Sequence, residues 1–176
     1  MKRLAPYLYM FASLIVASML NVYPLSLQLA SYRPMFLMTT LAFWAMYEPT
    51  RLGVGMAFFI GVMADLLFDT HLGQQAFCAV AMVFFLRVIT RYAKHLTLGS
   101  AWVVGGMALG IFWGLLAFLQ SFGQARVALV GIGGYVVTLI LFPVLWLVLS
   151  YLRARWSRRV GSVSYTHLTL PTSDLV

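Results

Sequence analysis

Apolar segments long enough to cross a lipid bilayer dominate this chain and constrain its fold more than any other feature. Residues 4–22, 100–119 and 127–149 each provide the roughly 20 apolar residues that a spanning helix needs, and residues 72–89 do so with Arg87 near the end. Of the 176 residues, 62% are apolar and 9% are charged, whereas a typical soluble domain carries about 25% charged residues. Because a water-soluble globule could not hide so much hydrocarbon, the sequence predicts an integral membrane protein. It excludes a soluble enzyme, a disordered chain and, with Cys78 as the single cysteine, a disulfide scaffold.

Two shorter apolar segments, residues 35–47 and 52–68, are separated by Glu48-Pro49-Thr50-Arg51. As a helix the first would be only about 20 Å long, against a hydrocarbon core of about 30 Å. Either its helix begins earlier, near Ser31, or neighbouring helices shelter it. We predict one all-α bundle of six transmembrane helices in residues 1–162, at about 4–22, 31–47, 52–68, 72–90, 100–119 and 127–152. Residues 163–176 resemble a translated sequencing-library adapter, and we expect them not to be native.

The basic residues predict the orientation of this bundle, because cytoplasmic loops are rich in Lys and Arg. With the N-terminus in the cytoplasm, only Arg33 and Arg126 of the 12 basic residues face outward. Both termini are therefore predicted to be cytoplasmic. We expect the inner basic residues to orient the chain and to contact anionic lipid, with a cytoplasmic protein as the alternative partner; nucleic acid is not expected. The inner residues are Lys2, Arg3, Arg51, Arg87, Arg91, Lys94, Arg153, Arg155, Arg158 and Arg159.

The third predicted helix carries an acid within the membrane. Ala57, Gly61 and Asp65 recur every four residues, and Asp69 would continue this stripe to the outer end. Small residues at this spacing let another helix approach closely, and an ionised Asp is too costly to face lipid. Asp65 is therefore expected to point into the bundle, either as a proton or ion site or, the favoured alternative, as a residue that fixes helix packing. We hypothesise that Arg33 pairs with Asp65 or Asp69.

The fifth predicted helix carries a glycine ladder of Gly106, Gly110 and Gly114. Such a ladder makes a helix–helix seam, either within the bundle, which we favour, or with a partner's helix. Pro143 is expected to kink the sixth helix. No nucleophile–base pair, phosphate-binding loop or metal-ligand cluster is recognisable in the sequence. We therefore expect no enzymatic activity, no cofactor and no metal.

Several short motifs in residues 33–79 occur in an informative order. They are Arg33-Pro34, Pro49-Thr50-Arg51, a Gly-x-x-x-Asp from Gly61 to Asp65, and Leu72-Gly73. Together they resemble the bacterial rod shape-determining protein MreD family. The six-helix layout, Pro143 and the basic C-terminal end are also similar to that family over residues 4–159. The chain departs from it at Thr138, where many members carry Asn.

The resemblance implies a non-enzymatic inner-membrane component of the machinery that elongates the bacterial cell wall. Its implied partner is MreC, a single-span protein, and through MreC the MreB filaments, the RodA glycosyltransferase and its cognate transpeptidase. The implied fold is similar to the S component of energy-coupling-factor transporters. On this basis we expect a helix groove or an outer rim of the bundle to hold MreC.

Two alternatives from other classes remain open at this point. A vitamin-transporter S component would capture a small molecule in a mostly apolar pocket with a few convergent polar groups. Its polar candidates would be Arg33, Asp65 and Asp69, but the spacing of Ala12 and Ala17 does not match the usual docking helix of such subunits. An ion channel or proton carrier through Asp65 has less support, because no chain of ionisable groups crosses the bilayer.

Overall fold

Six α-helices form the regular structure in the part of the chain that the computed structural model describes, namely residues 5–23, 32–92, 97–121 and 132–161. The helices are α1 (Ala5–Val22), α2 (Phe36–Tyr47), α3 (Val54–Leu67), α4 (Gln74–Tyr92), α5 (Leu98–Ser121) and α6 (Ile132–Gly161). Of these, α4, α5 and α6 are long and apolar enough to cross a membrane, whereas α1, α2 and α3 are shorter. The all-α prediction is confirmed, and the three long apolar helices fit a membrane protein.

The second helix is shorter than predicted, since α2 begins at Phe36 and not near residue 31. Pro34 contributes to this late start, because a proline disfavours the helical conformation of the residue before it. The 12 residues of α2 measure only about 18 Å along the helix axis. Ten of them are buried, and α1, α4, α5 and α6 all pack against this helix. A helix that is apolar on every side suits this central position, so shelter by neighbouring helices, and not an earlier start, accommodates its length.

The last helix is longer than predicted, since α6 ends at Gly161 and not at residue 152. Residues 153–160 contain neither Pro nor Gly, so no helix-breaking residue ends the helix before Gly161. The predicted start of this helix at residue 127 and the predicted adapter segment 163–176 lie outside the described residues.

Pro143 lies inside α6, where its missing N–H leaves the carbonyl of Leu139, four residues earlier, without a helical partner. The indole Nε1–H of Trp102 in α5 donates a hydrogen bond to that carbonyl oxygen at 2.9 Å. A neighbouring helix thus satisfies the backbone carbonyl that the proline frees, as a polar group in apolar surroundings requires.

The turn between α2 and α3 shows which helix ends lie together. It contacts Tyr7 at the start of α1, Arg87 near the end of α4 and Arg153 in the last part of α6. The start of α1 and the end of α6 therefore lie at the same end of the bundle. We call this end, defined by Glu48, Arg87 and Arg153, the basic end.

Candidate functional site

The acid of the third helix, Asp65, lies near the end of α3 and is 1% exposed. Its carboxylate accepts hydrogen bonds from the backbone N–H groups of Gly73 and Gln75, each at 2.8 Å, and of Ala76 at 3.4 Å. The Thr70 hydroxyl donates a further hydrogen bond at 2.9 Å. The first N–H groups of a helix have no partner within it and carry the positive end of the helix dipole. Asp65 therefore caps the start of α4.

Gly61 lies one turn before Asp65 and marks a close approach of α3 to α4. A Cβ atom at Gly61 would lie 2.3 Å from the Cα atom of Ala76, a distance that no packed structure allows. Ala57, Gly61 and Asp65 are all buried, and the same first turn of α4 meets both Gly61 and Asp65. The prediction that Asp69 continues this stripe is wrong. Because α3 ends at Leu67, Asp69 lies in the following turn, where it is exposed and has a φ of 49°.

The hypothesis that Arg33 pairs with Asp65 or Asp69 is also wrong within the described residues. The Nη2 atom of Arg33 donates a hydrogen bond to the carbonyl of Tyr23 at 3.3 Å, and the described ion pairs both involve Glu48. Asp65 needs no cation, because four hydrogen bonds from α4 and the turn before it satisfy its oxygens.

Two polar side chains without an assigned role in the sequence analysis cap the other buried helix start, that of α2. The Thr138 hydroxyl oxygen of α6 accepts from the N–H of Met35 at 2.9 Å, and Asn21 Oδ1 of α1 accepts from the N–H of Leu37 at 3.3 Å. Both side chains are buried. A polar residue in a largely apolar helix was the available signal, but the sequence does not tell which helix it caps. We call the end of the bundle that holds Asp65, Asn21 and Thr138 the capping end.

At the basic end, Glu48 binds two arginines. Arg153 Nη2 lies 2.6 Å from Glu48 Oε1, and Arg51 Nε lies 3.7 Å from Oε2. The guanidinium of Arg153 also lies 3.9 Å from the centroid of the Tyr47 ring. Arg51, the last residue of the Pro49-Thr50-Arg51 motif, thus belongs to a cluster that joins the α2–α3 turn to α6. Its centre, Glu48, had no assigned role in the sequence analysis.

The glycine ladder of α5 is used at two of its three positions for packing against α6. A Cβ atom would lie 2.8 Å from Leu139 Cδ2 at Gly106 and 3.0 Å from the Tyr135 hydroxyl at Gly110. At Gly114 nothing lies within 4 Å of that position. The described structure therefore places the first two glycines in a seam within the bundle and leaves the third open.

An apolar groove with a volume of about 300 Å³ lies between α1 and α3, with α2 at its base. Its walls include exposed side chains from both outer helices, among them Ile15, Phe59 and Met63. Ser18 is the one lining residue with a polar side chain, and its hydroxyl donates to the Ile15 carbonyl at 2.7 Å. The groove can therefore accept an apolar occupant, and it lacks the several convergent polar groups that orient a small polar ligand.

The geometry defines an all-α protein, compatible with a membrane protein, in which buried polar side chains hold neighbouring helices together. Within the described residues, no group of three or more His, Cys, Asp or Glu side chains is placed to hold a metal ion. The family model for the rod shape-determining protein MreD matches residues 1–152. The chain therefore belongs to the MreD family, which gives it a role in rod shape determination. Comparison with curated proteins and with solved structures found no significant match.

Proposed function

We propose that this protein is a non-enzymatic scaffold of the cell-wall elongation machinery in the bacterial inner membrane, where it binds MreC. Membership in the MreD family supports this role. The observation that carries the scaffold proposal is the role of two acidic side chains, the buried Asp65 and the partly buried Glu48. Asp65 caps α4, and Glu48 binds Arg51 and Arg153, so both carboxylates serve the fold. Binding by shape, without chemistry, is the function that such a bundle supports best.

The α1–α3 groove is the surface that we assign to MreC. Its walls are apolar, and it opens on the side of the bundle where Phe59 and Met63 are 67% and 59% exposed. A single transmembrane helix, as implied for MreC, is an occupant of matching chemistry, because packing alone drives helix association in lipid. The groove also flanks α3, whose 14 residues measure only about 21 Å along the helix axis. A longer partner helix would therefore cover the side of the bundle where α3 is too short to span the membrane.

The six helices are proposed to cross the membrane with the basic end in the cytoplasm. This orientation places Arg51, Arg87 and Arg153 on the side that the positive-inside rule requires. A cytoplasmic basic end would face MreB filaments. Through MreC the bundle would be linked to RodA and its cognate transpeptidase on the outer side.

Affinity purification of the tagged protein from membranes that contain MreC tests the proposal. We expect MreC to copurify with the wild type and less MreC to copurify with the Phe59→Ala/Met63→Ala variant. The matched control is Ile140→Ala/Val144→Ala on the lipid-exposed side of α6, where the two side chains are 66% and 55% exposed. Absence of MreC from the wild-type sample, or equal loss in both variants, would contradict the proposal.

The S-component alternative predicts a different result. Arg33, Asp65 and Asp69 would have to converge on a ligand, but Asp65 is held by α4, Asp69 is exposed in a turn and Arg33 donates to Tyr23. Retention of a radiolabelled vitamin by the purified protein would favour that alternative over a scaffold.

A further inference from the structure

Three guanidinium groups meet one short segment at the basic end. Arg51 and Arg153 contact the Glu48 carboxylate, and Arg87 Nη2 donates to the Pro49 carbonyl at 2.8 Å. Within this cluster, three positive charges face one negative charge, which leaves an excess of two. Such an excess, in a cluster only partly exposed to solvent, attracts an anion.

Two tyrosine rings also hold the arginines of this cluster in place. The guanidinium of Arg153 lies 3.9 Å from the Tyr47 ring centroid, and that of Arg51 lies 5.3 Å from the Tyr7 ring centroid. These side chains remain 34% and 32% exposed. Each guanidinium carries five N–H donors. Arg153 uses one of them on Glu48 and Arg87 uses one on the Pro49 carbonyl, while Arg51 Nε lies 3.7 Å from Glu48, so donors remain for a further ligand. A planar donor fork of this kind matches the oxygens of a phosphate group.

The surrounding aromatic residues place the cluster at the level of lipid headgroups. Tyr7 at the start of α1, Tyr47 and Tyr92 at the ends of α2 and α4, and Tyr151, two residues before Arg153 in α6, belong to the basic end. All four are exposed. Tyrosines concentrate at the interface between membrane and water. The anion present there at high density is the phosphate of the membrane's own lipids.

We infer that Arg51, Arg87 and Arg153 form a binding site for the phosphate headgroup of an anionic phospholipid. Glu48 positions two of the three arginines, and the Pro49 carbonyl positions the third. Basic pockets between transmembrane helices bind such headgroups in this way. The site is independent of MreC binding, and it exists whichever leaflet the basic end faces.

Native mass spectrometry of the protein released from nanodiscs tests the site. The nanodiscs contain phosphatidylglycerol and phosphatidylcholine in equal amounts, and only the folded protein is counted. We expect the wild type to retain phosphatidylglycerol, and Arg87→Gln to weaken that retention roughly tenfold, because a guanidinium fork on phosphate is a charge-assisted, two-point hydrogen bond. Arg87→Lys keeps the charge but loses the fork, so its retention should be intermediate.

Arg91→Gln is the matched control, since it removes the same charge from an exposed position one turn further along α4. We expect it to weaken retention less than roughly threefold, as for a screened surface charge. Equal effects at both positions, or equal retention of both lipids by the wild type, would overturn the inference. In detergent, we also expect phosphatidylglycerol to raise the unfolding temperature of the protein and inorganic phosphate not to raise it. An equal rise with both would overturn the assignment to a lipid.

Discussion

Asp65 Oδ1 accepts a hydrogen bond of 2.8 Å from the backbone N–H of Gln75, ten residues further along the chain. This contact ties the end of α3 to the start of α4. It also gives a buried carboxylate a structural role, because the N–H groups at a helix start supply the positive charge that a cation would otherwise provide.

Replacement of Asp65 by Ala should lower the free energy of unfolding by about 2 kcal/mol or more, since several buried N–H groups lose their acceptor. Asp65→Asn should cost less, because its one carbonyl oxygen can still accept from Gln75. Thermal unfolding in detergent measures both effects. Asp69→Asn, at an exposed turn position, is the control and should change little. A proton or ion site at Asp65 would instead leave the stability of Asp65→Asn unchanged or raised.

Gly61→Ala should destabilise the α3–α4 pair, because its Cβ would lie 2.3 Å from the Cα atom of Ala76 and the helices would have to separate. We expect a loss of about 1–3 kcal/mol. Gly55→Ala lies on the same helix, with nothing within 4 Å of its new Cβ. It should be neutral or should stabilise the helix by up to about 1 kcal/mol. Thermal unfolding of the two variants measures the difference. Equal stability of Gly61→Ala and Gly55→Ala would show that α3 and α4 are not in close contact at Gly61.

Trp102→Phe should remove the indole hydrogen bond to Leu139 and cost about 1 kcal/mol. The cost should fall in the Pro143→Ala background, because residue 143 then has an N–H that can bond to the Leu139 carbonyl. A double-mutant cycle of unfolding free energies measures this coupling. Additive effects of the two substitutions would mean that Trp102 does not compensate for the proline.

Charge reversal distinguishes the ion pairs in the structure from the one that the sequence suggests. Glu48→Arg/Arg153→Glu should recover part of the stability lost in either single variant, because the two side chains lie 2.6 Å apart. Arg33→Asp/Asp65→Arg should recover none, since Asp65 caps a helix start that an arginine cannot cap. The measurement is thermal unfolding of all six variants. Recovery in the second pair would restore the Arg33–Asp65 interpretation.

The lengths of the apolar segments and the spacing of the small residues predict much of this fold, but they do not predict the partners of polar residues. Uninterrupted apolar segments identify α4, α5 and α6, and the spacing of Gly106 and Gly110 predicts a seam. The partner of Asp65 could not be predicted, because backbone N–H groups have no signature in sequence. For the same reason Thr138 received no role, since its acceptor function depends on where the start of α2 lies.

The start of α2 illustrates a second limit. Length alone favours a helix that begins near residue 31, because an isolated helix in lipid must span the whole hydrocarbon core. In the bundle, Asn21 and Thr138 satisfy N–H groups at the start of α2, and other helices surround it. The constraint of full membrane thickness therefore does not apply to this helix, and only tertiary structure reveals that.

Site-specific photo-crosslinking in living cells tests most directly whether the bundle is a scaffold that holds MreC in the α1–α3 groove. A photoreactive residue is placed at Phe59 or Met63 in the groove, and at Ile140 or Val144 on α6 as controls. We predict crosslinks to MreC from Phe59 and Met63 and none from the α6 positions. Crosslinks to MreC from α6 alone, or from none of the four positions, would contradict the proposed scaffold.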